Sequence, residues 1–80
     1  MFVAVLDAEK VGETIRFFRK KKRMSQEVLS GLADIGRSHL SAMERGERKP
    51  TLETLYRICL ALDIRMSEFM QKLEEVLENP

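Results

Sequence analysis

An all-α domain of five helices is what this 80-residue chain predicts, on three observations. Apolar residues recur three and four positions apart from Val11 to Leu77, the spacing that lines one side of a helix. Four glycines and two prolines leave few breaks in that pattern. Between Gln26 and Met43, the residues Leu29, Ala33, Ile35, Leu40 and Met43 fall where two short helices crossing at a tight turn must bury side chains. The length makes one domain, 1–80, whose small core is only marginally stable alone, so a second copy is expected to pack against it.

Residues 1–8 form an N-terminal arm in which Phe2 to Leu6 is apolar. The arm packs on the core, pairs as a strand across a dimer, or begins the chain disordered; its apolar character favours packing against the fifth helix or a partner. Asp7 caps a first helix running to about Lys22, with Val11, Ile15 and Phe18 facing inward and Phe17 off that stripe. Its end carries Arg19 to Arg23, cations that suit the negative end of the helix dipole. Ser25 caps a second helix whose first turn, Gln26 and Glu27, exposes unpaired backbone donors suited to a phosphate. Gly31 weakens this helix by roughly 1 kcal/mol relative to alanine, which close approach of the third helix would justify.

Ile35 plugs the turn, and a third helix runs from Gly36 to about Arg45, stopped by Gly46. After the charged loop to Pro50, Thr51 caps a fourth helix with a stripe of Leu52, Leu55, Ile58, Cys59 and Leu62. The fifth helix, 66–77, carries Phe69, Met70, Leu73, Val76 and Leu77, more apolar length than the domain needs to close its own core. Phe69, Leu73, Val76 and Leu77 are therefore expected to contact a second copy, the alternative being that this helix folds back on the first.

The composition excludes several classes of function. Net charge is only +1, yet residues 1–65 hold 13 cationic side chains against 9 acidic ones, and residues 66–80 hold one against four. A basic body with an acidic end suits a nucleic-acid partner better than the total suggests. The lone Cys59 rules out a disulfide framework and a cysteine-based metal site, which fits a cytoplasmic chain, and it reads as a small buried hydrophobe. No apolar stretch approaches the roughly 20 residues that span a bilayer, and Phe2 to Leu6 is too short for a secretion signal and lacks its basic leader. With His39 as the single histidine and no nucleophile, metal or phosphate-loop spacing near it, neither enzyme activity nor a cofactor or metal is expected.

Burial of Leu40 and Met43 leaves Arg37, Ser38, Ser41 and Ala42 facing outward from the third helix. Such a face suits a major groove, where Arg and Ser hydrogen-bond base edges and Ala touches a thymine methyl.

Val11 to Met70 resembles the phage-repressor/Cro-like, or XRE-type, helix-turn-helix family. The carriers are Val11-Gly12-Glu13-Thr14-Ile15-Arg16 with Arg19, Ser25-Gln26-Glu27-Val28-Leu29, Leu40-Ser41-Ala42-Met43-Glu44-Arg45-Gly46, and Lys49-Pro50-Thr51-Leu52-Glu53-Thr54-Leu55. The resemblance implies a lambda-repressor-like fold with an extended C-terminal helix and the helix-turn-helix at 26–45. It also implies that Gln26 contacts a phosphate and braces the third helix, and that Arg45, Arg48 and Lys49 contact the DNA backbone. Base readout falls to Arg37, Ser38 and Ser41, with His39 and Ala42 flanking, and Arg19 pairs with Glu44 in a partly buried salt bridge. Three positions depart from the family pattern. Asp34 and Arg23 stand where glycine is usual and Ser30 where alanine is, and of these only Arg23 looks costly.

The function so implied is a sequence-specific, dimeric transcription regulator, a repressor on a palindromic double-stranded operator. The stretch Arg37-Ser38-His39-Leu40-Ser41 and the short length are also similar to controller proteins of restriction-modification systems, features that antitoxin-type autoregulators share. A protein-interaction adaptor keeping the fold is the rival of another class, and it would want an apolar or acidic outward face on the third helix.

Overall fold

A computed structural model describes residues 4–79. Expectations for Phe2 and Val3 therefore lie outside the described residues. Five helices follow in order, α1 (Ala8–Lys21), α2 (Gln26–Ala33), α3 (Arg37–Glu44), α4 (Leu52–Leu62) and α5 (Met66–Glu78), with no strand among the described residues. The architecture is the all-α one that the periodicity predicts.

Local chemistry explains where the helices start and stop. Asp7 Oδ1 accepts the amides of Glu9 and Lys10 at the head of α1, Ser25 Oγ that of Val28 on α2, and Thr51 Oγ1 that of Thr54 on α4. Each replaces a bond that the first turn of a helix cannot make internally. Gly36 and Arg65 precede α3 and α5 without a side-chain cap. Three non-glycine residues adopt the left-handed conformation: Arg23 at φ 57°, Asp34 at φ 56° and Asp63 at φ 56°. Asp34 and Asp63 end α2 and α4 in this way, with their own amides returning to the last turn. Aspartate tolerates that backbone better than most residues, whereas Arg23 carries its steric cost without such help.

The core is one cluster. Val11, Ile15 and Phe18 of α1 meet Leu29 and Ala33 of α2, Leu40 and Met43 of α3, Leu55, Ile58, Cys59 and Leu62 of α4, and Phe69 and Leu73 of α5, with Ile35 packed against its edge. α3 packs on α1 and α2, while α5 lies across α1 and α4. The rings of Phe18 and Phe69 stack with centroids 5.9 Å apart, fixing α5 on α1.

Three expectations change here. Phe69 and Leu73 are 0% and 5% exposed, so the stripe on α5 folds back on α1 and only Val76 and Leu77 of the expected partner contacts reach solvent. Leu52 is 70% exposed and lies outside the core stripe of α4, because the first turn of that helix overhangs the cluster rather than covering it. Nothing comes within 4 Å of where a side chain at Gly31 would begin, so no close approach of α3 explains that glycine. The tight glycine is Gly12, whose missing Cβ would lie 2.4 Å from the Met43 carbonyl oxygen and 2.5 Å from that of Glu44. α1 can press against the end of α3 only because this position has no side chain.

Phe17, off the inward stripe, is a surface aromatic set edge-on to Phe18, with the Lys72 ammonium 4.2 Å from its ring centre. Leu6 borders an apolar groove of about 180 Å³ with Leu52 and Leu55 of α4 and Met70 and Leu73 of α5. The rest of the described arm does not pack as its apolar character suggests, since Ala4, Val5 and Leu6 are all exposed, Val5 at 77%.

Candidate nucleic-acid interface

The turn between α2 and α3 sets the site. Asp34 reverses the chain in one residue, Ile35 fills the corner, and the N-terminus of α2 comes to lie beside the outward side of α3. Gln26, the first residue of α2, and Arg37, Ser38 and Ser41 of α3 line one open cleft of about 220 Å³. Residues eleven and more positions apart in sequence thereby share one surface. Arg37 and Ser38 are exposed, and His39, Ser41 and Ala42 are half-buried. All five expected base readers therefore keep some solvent access.

Beneath this surface sits the buried carboxylate of Glu44, with a side chain 1% exposed. Arg19 clasps it with two bonds, Nε to Oε2 at 2.7 Å and Nη2 to Oε1 at 2.9 Å, and its Nη1 donates to the Met24 carbonyl at 2.9 Å. Gln26 Nε2 donates to the same Oε1 at 3.1 Å. Arg16, one helical turn before Arg19, brings its Nε to 3.7 Å from Oε1 and its Nη2 to 3.5 Å from the Glu44 carbonyl. Burial alone would raise the Glu44 pKa, but the bonds from Arg19 and Gln26 and the nearby charges win and hold it below the ordinary carboxylate value. The carboxylate therefore stays ionised and locks α1, α2 and α3 together.

That lock also orients Gln26. Glu44 takes one of the two hydrogens on its amide nitrogen, so the second, with the free donors of the first turn of α2, is left for a ligand at the cleft that Gln26 lines. The inferred brace between α2 and α3 is thus a bond to Glu44. The participation of Arg16 was legible in principle, since it lies three residues from Arg19 on the same face of α1.

The cations after α3 are less uniform than the sequence suggests. Arg45, the C-cap of α3, is gripped by Glu47 through Nε to Oε2 at 2.6 Å and Nη2 to Oε1 at 3.2 Å, and it also donates to Ser41 Oγ. Lys49 Nζ donates to the Leu6 carbonyl at 3.2 Å, tying the loop to the N-terminal arm. Arg48 is exposed, with no hydrogen-bond or ion-pair partner among the described residues. Sequence reasoning missed Glu47, although an acid two residues after an arginine at a helix end is a visible signal.

Among the described residues no group of three or more His, Cys, Asp or Glu side chains is placed to hold a metal ion. No described helix is long and apolar enough to cross a membrane. Burial pushes the Cys59 thiol up to about 11, with the Glu68 charge adding to it, so the group is protonated at neutral pH.

The sequence pattern of the Helix-turn-helix family matches residues 15–69. The chain belongs to that family, in its XRE type. Its class is that of DNA-binding transcriptional regulators. An uncharacterised HTH-type transcriptional regulator, y4dJ, from Sinorhizobium fredii (strain NBRC 101917 / NGR234) is 32% identical over 65 residues, 81% of this chain and 84% of that protein. The fold is similar to the restriction-modification controller protein C.AhdI from Aeromonas hydrophila, with a TM-score of 0.77 and 35% identity over 81% of this chain and 98% of that one. It is also similar to C.Esp1396I bound to a 19 base pair DNA duplex, with a TM-score of 0.84 and 27% identity over 91% of this chain and 97% of that one.

Proposed function

We propose that this chain is a sequence-specific repressor that binds a palindromic double-stranded operator as a cytoplasmic homodimer. Each copy lays α3 in the major groove, the two helices about 34 Å, or one DNA turn, apart. Arg37, Ser38 and Ser41 read base edges, with His39 and Ala42 flanking. Arg37 is the principal reader, gripping a guanine through its two-pronged guanidinium for roughly 1 to 3 kcal/mol of discrimination. Gln26 with the amides of its helix turn, Arg48 and Lys49 hold phosphates. The observation that carries this is the single cleft shared by Gln26, Arg37, Ser38 and Ser41, which sets phosphate donors beside base readers. An apolar or acidic face on α3, which an adaptor would want, is not what those side chains make.

The dimer contact proposed is the apolar surface left after the core has closed. Leu52, Tyr56 and Leu60 follow one another along α4 at 70%, 51% and 61% exposure, and Val76 and Leu77 add apolar surface on α5. α3 packs on α1 and α2, so pairing through α4 and α5 leaves it free for DNA.

A second reading, a controller protein of a restriction-modification system, has in its favour the match to nearly the whole length of C.AhdI. It keeps every residue role above and changes only the gene served.

Binding to a duplex selected from random sequence, titrated against salt, tests the proposal. With Arg48 and Lys49 of two copies on phosphates, log K should fall against log salt with a slope of about −4 or steeper. A flat response contradicts it.

A further inference from the structure

We infer that Glu47 is a positioning residue that fixes Arg45 as a second base-reading side chain of α3, an assignment that rests on the DNA-binding role proposed above. Arg45 would ordinarily be counted among the phosphate contacts, as a cation at the end of the helix. Its surroundings say otherwise. A guanidinium has two edges that can take a pair of oxygens, and the Nε–Nη2 edge is closed by Glu47 at 2.6 and 3.2 Å. A phosphate arriving on that side meets a carboxylate already seated there, and the two like charges repel.

The remaining contacts show which edge is left open. Nη1 donates one hydrogen to Ser41 Oγ, so the guanidinium plane is held from both sides and lies along α3 instead of trailing into solvent. Nη1 and Nη2 each keep one hydrogen unspent, and with Ser41 on the Cδ side of Nη1 these two form the fork at the tip that matches the O6 and N7 acceptors of guanine. Ser41 accepts in this arrangement, so its own hydroxyl hydrogen is still free to donate. Glu47 is itself fixed, because its amide returns to the Ala42 carbonyl at 2.9 Å in the turn that ends α3. That turn cannot drift, since Gly46, at φ 77°, lies so close to Glu9 that a Cβ there would sit 2.6 Å from the Glu9 side chain.

The position along the helix fits the role. Arg37, Ser41 and Arg45 are four residues apart and follow one face of α3. Eight residues of helix rise about 12 Å, which is three to four base pairs of duplex at roughly 3.4 Å each. Arg45 therefore reads a base pair three to four steps from the one under Arg37. Glu47 serves discrimination in a second way, since its negative charge beside Arg48 and Lys49 lowers affinity for DNA at large.

The test is a panel of duplexes carrying every single base-pair change in the selected site, bound by the wild-type protein, Arg45→Lys and Glu47→Ala. Both side chains are exposed, so the variants keep the fold, and unchanged melting curves check this. The wild type should show two strong preferences per half-site, three to four base pairs apart. Arg45→Lys, which keeps the charge and loses the fork, should cut the second preference about tenfold and leave the first intact. Glu47→Ala should weaken the same preference severalfold while tightening binding to unrelated duplexes, a pattern that a merely structural role would not produce. The inference is overturned if Arg45→Lys changes no single-position preference, or if Glu47→Ala tightens all duplexes equally. A wild-type protein with no preference at any position would instead overturn the DNA-reading role itself, and it is told apart because no variant is needed to see it.

Discussion

Two adjacent residues, Glu44 and Arg45, each belong to an arginine–carboxylate pair with two-point geometry, and the surroundings make the pairs different devices. In the pair of Arg19 with Glu44 the side chains are 12% and 1% exposed, whereas in the pair of Arg45 with Glu47 they are 51% and 58% exposed. The contact distances are alike, at 2.7 and 2.6 Å for the shortest bond of each. Bond geometry is therefore a poor guide to what a pair contributes. Water decides it, because a buried charge that loses its partner has nowhere to go and an exposed one is simply hydrated.

Removing a partner from each pair should break the symmetry most visibly. Glu44→Ala or Arg19→Ala leaves a charge in the wall of the core without its partner, at a cost of about 3 to 5 kcal/mol. A domain of this size has roughly 4 to 12 kcal/mol in total, so urea unfolding should show either variant with its midpoint far below that of the wild type. Retained thermal stability in Arg19→Ala would refute the structural role of the pair.

Acid sharpens the same contrast. The Glu44 pKa is held below its ordinary value of 4.5, chiefly by the bonds from Arg19 and Gln26 working against burial. The stabilisation is therefore fully present above the unfolded-state pKa and is lost as pH falls through the lower folded-state value. Stability measured by urea from about pH 5 downward should therefore fall in the wild type, and Glu44→Gln, already destabilised, should show a shallower fall over that range. The smallest effect is expected at the exposed pair. Glu47→Ala should leave the unfolding midpoint where it is while altering DNA binding, and a clear loss of stability would mean that the loop after α3 is structural.

Much of the architecture was legible because it rests on local chemistry. Asp7, Ser25 and Thr51 announced three helix starts, and the apolar spacing of Val11, Ile15 and Phe18 described the face that α1 buries. Asp34 and Arg23, standing where the family uses glycine, proved to hold the left-handed backbone that glycine would have eased. What the sequence could not show was how far each stripe is covered. Leu52 and Phe69 both satisfy the helical period, yet one overhangs the core and the other is sealed within it, since coverage depends on where α4 and α5 cross. Gly31 and Gly12 differ in the same way, as only the path of a neighbouring backbone tells a tight position from an open one. At the site, Arg19 with Glu44 was found through the family pattern. Arg45 with Glu47 was not, because in a loop that also holds Arg48 and Lys49 the acid marks a pair without showing which cation it takes.

In this reading the outward face of α3 chooses the sequence bound, with Arg37 as its chief reader. Selection of bound duplexes from a random pool, run in parallel for the wild-type protein and Arg37→Ala, tests it most directly. A palindromic site is expected for the wild type and, in the variant, loss of preference at one symmetry-related pair of positions with the rest retained. The same site selected with undiminished preference at every position by Arg37→Ala would contradict it.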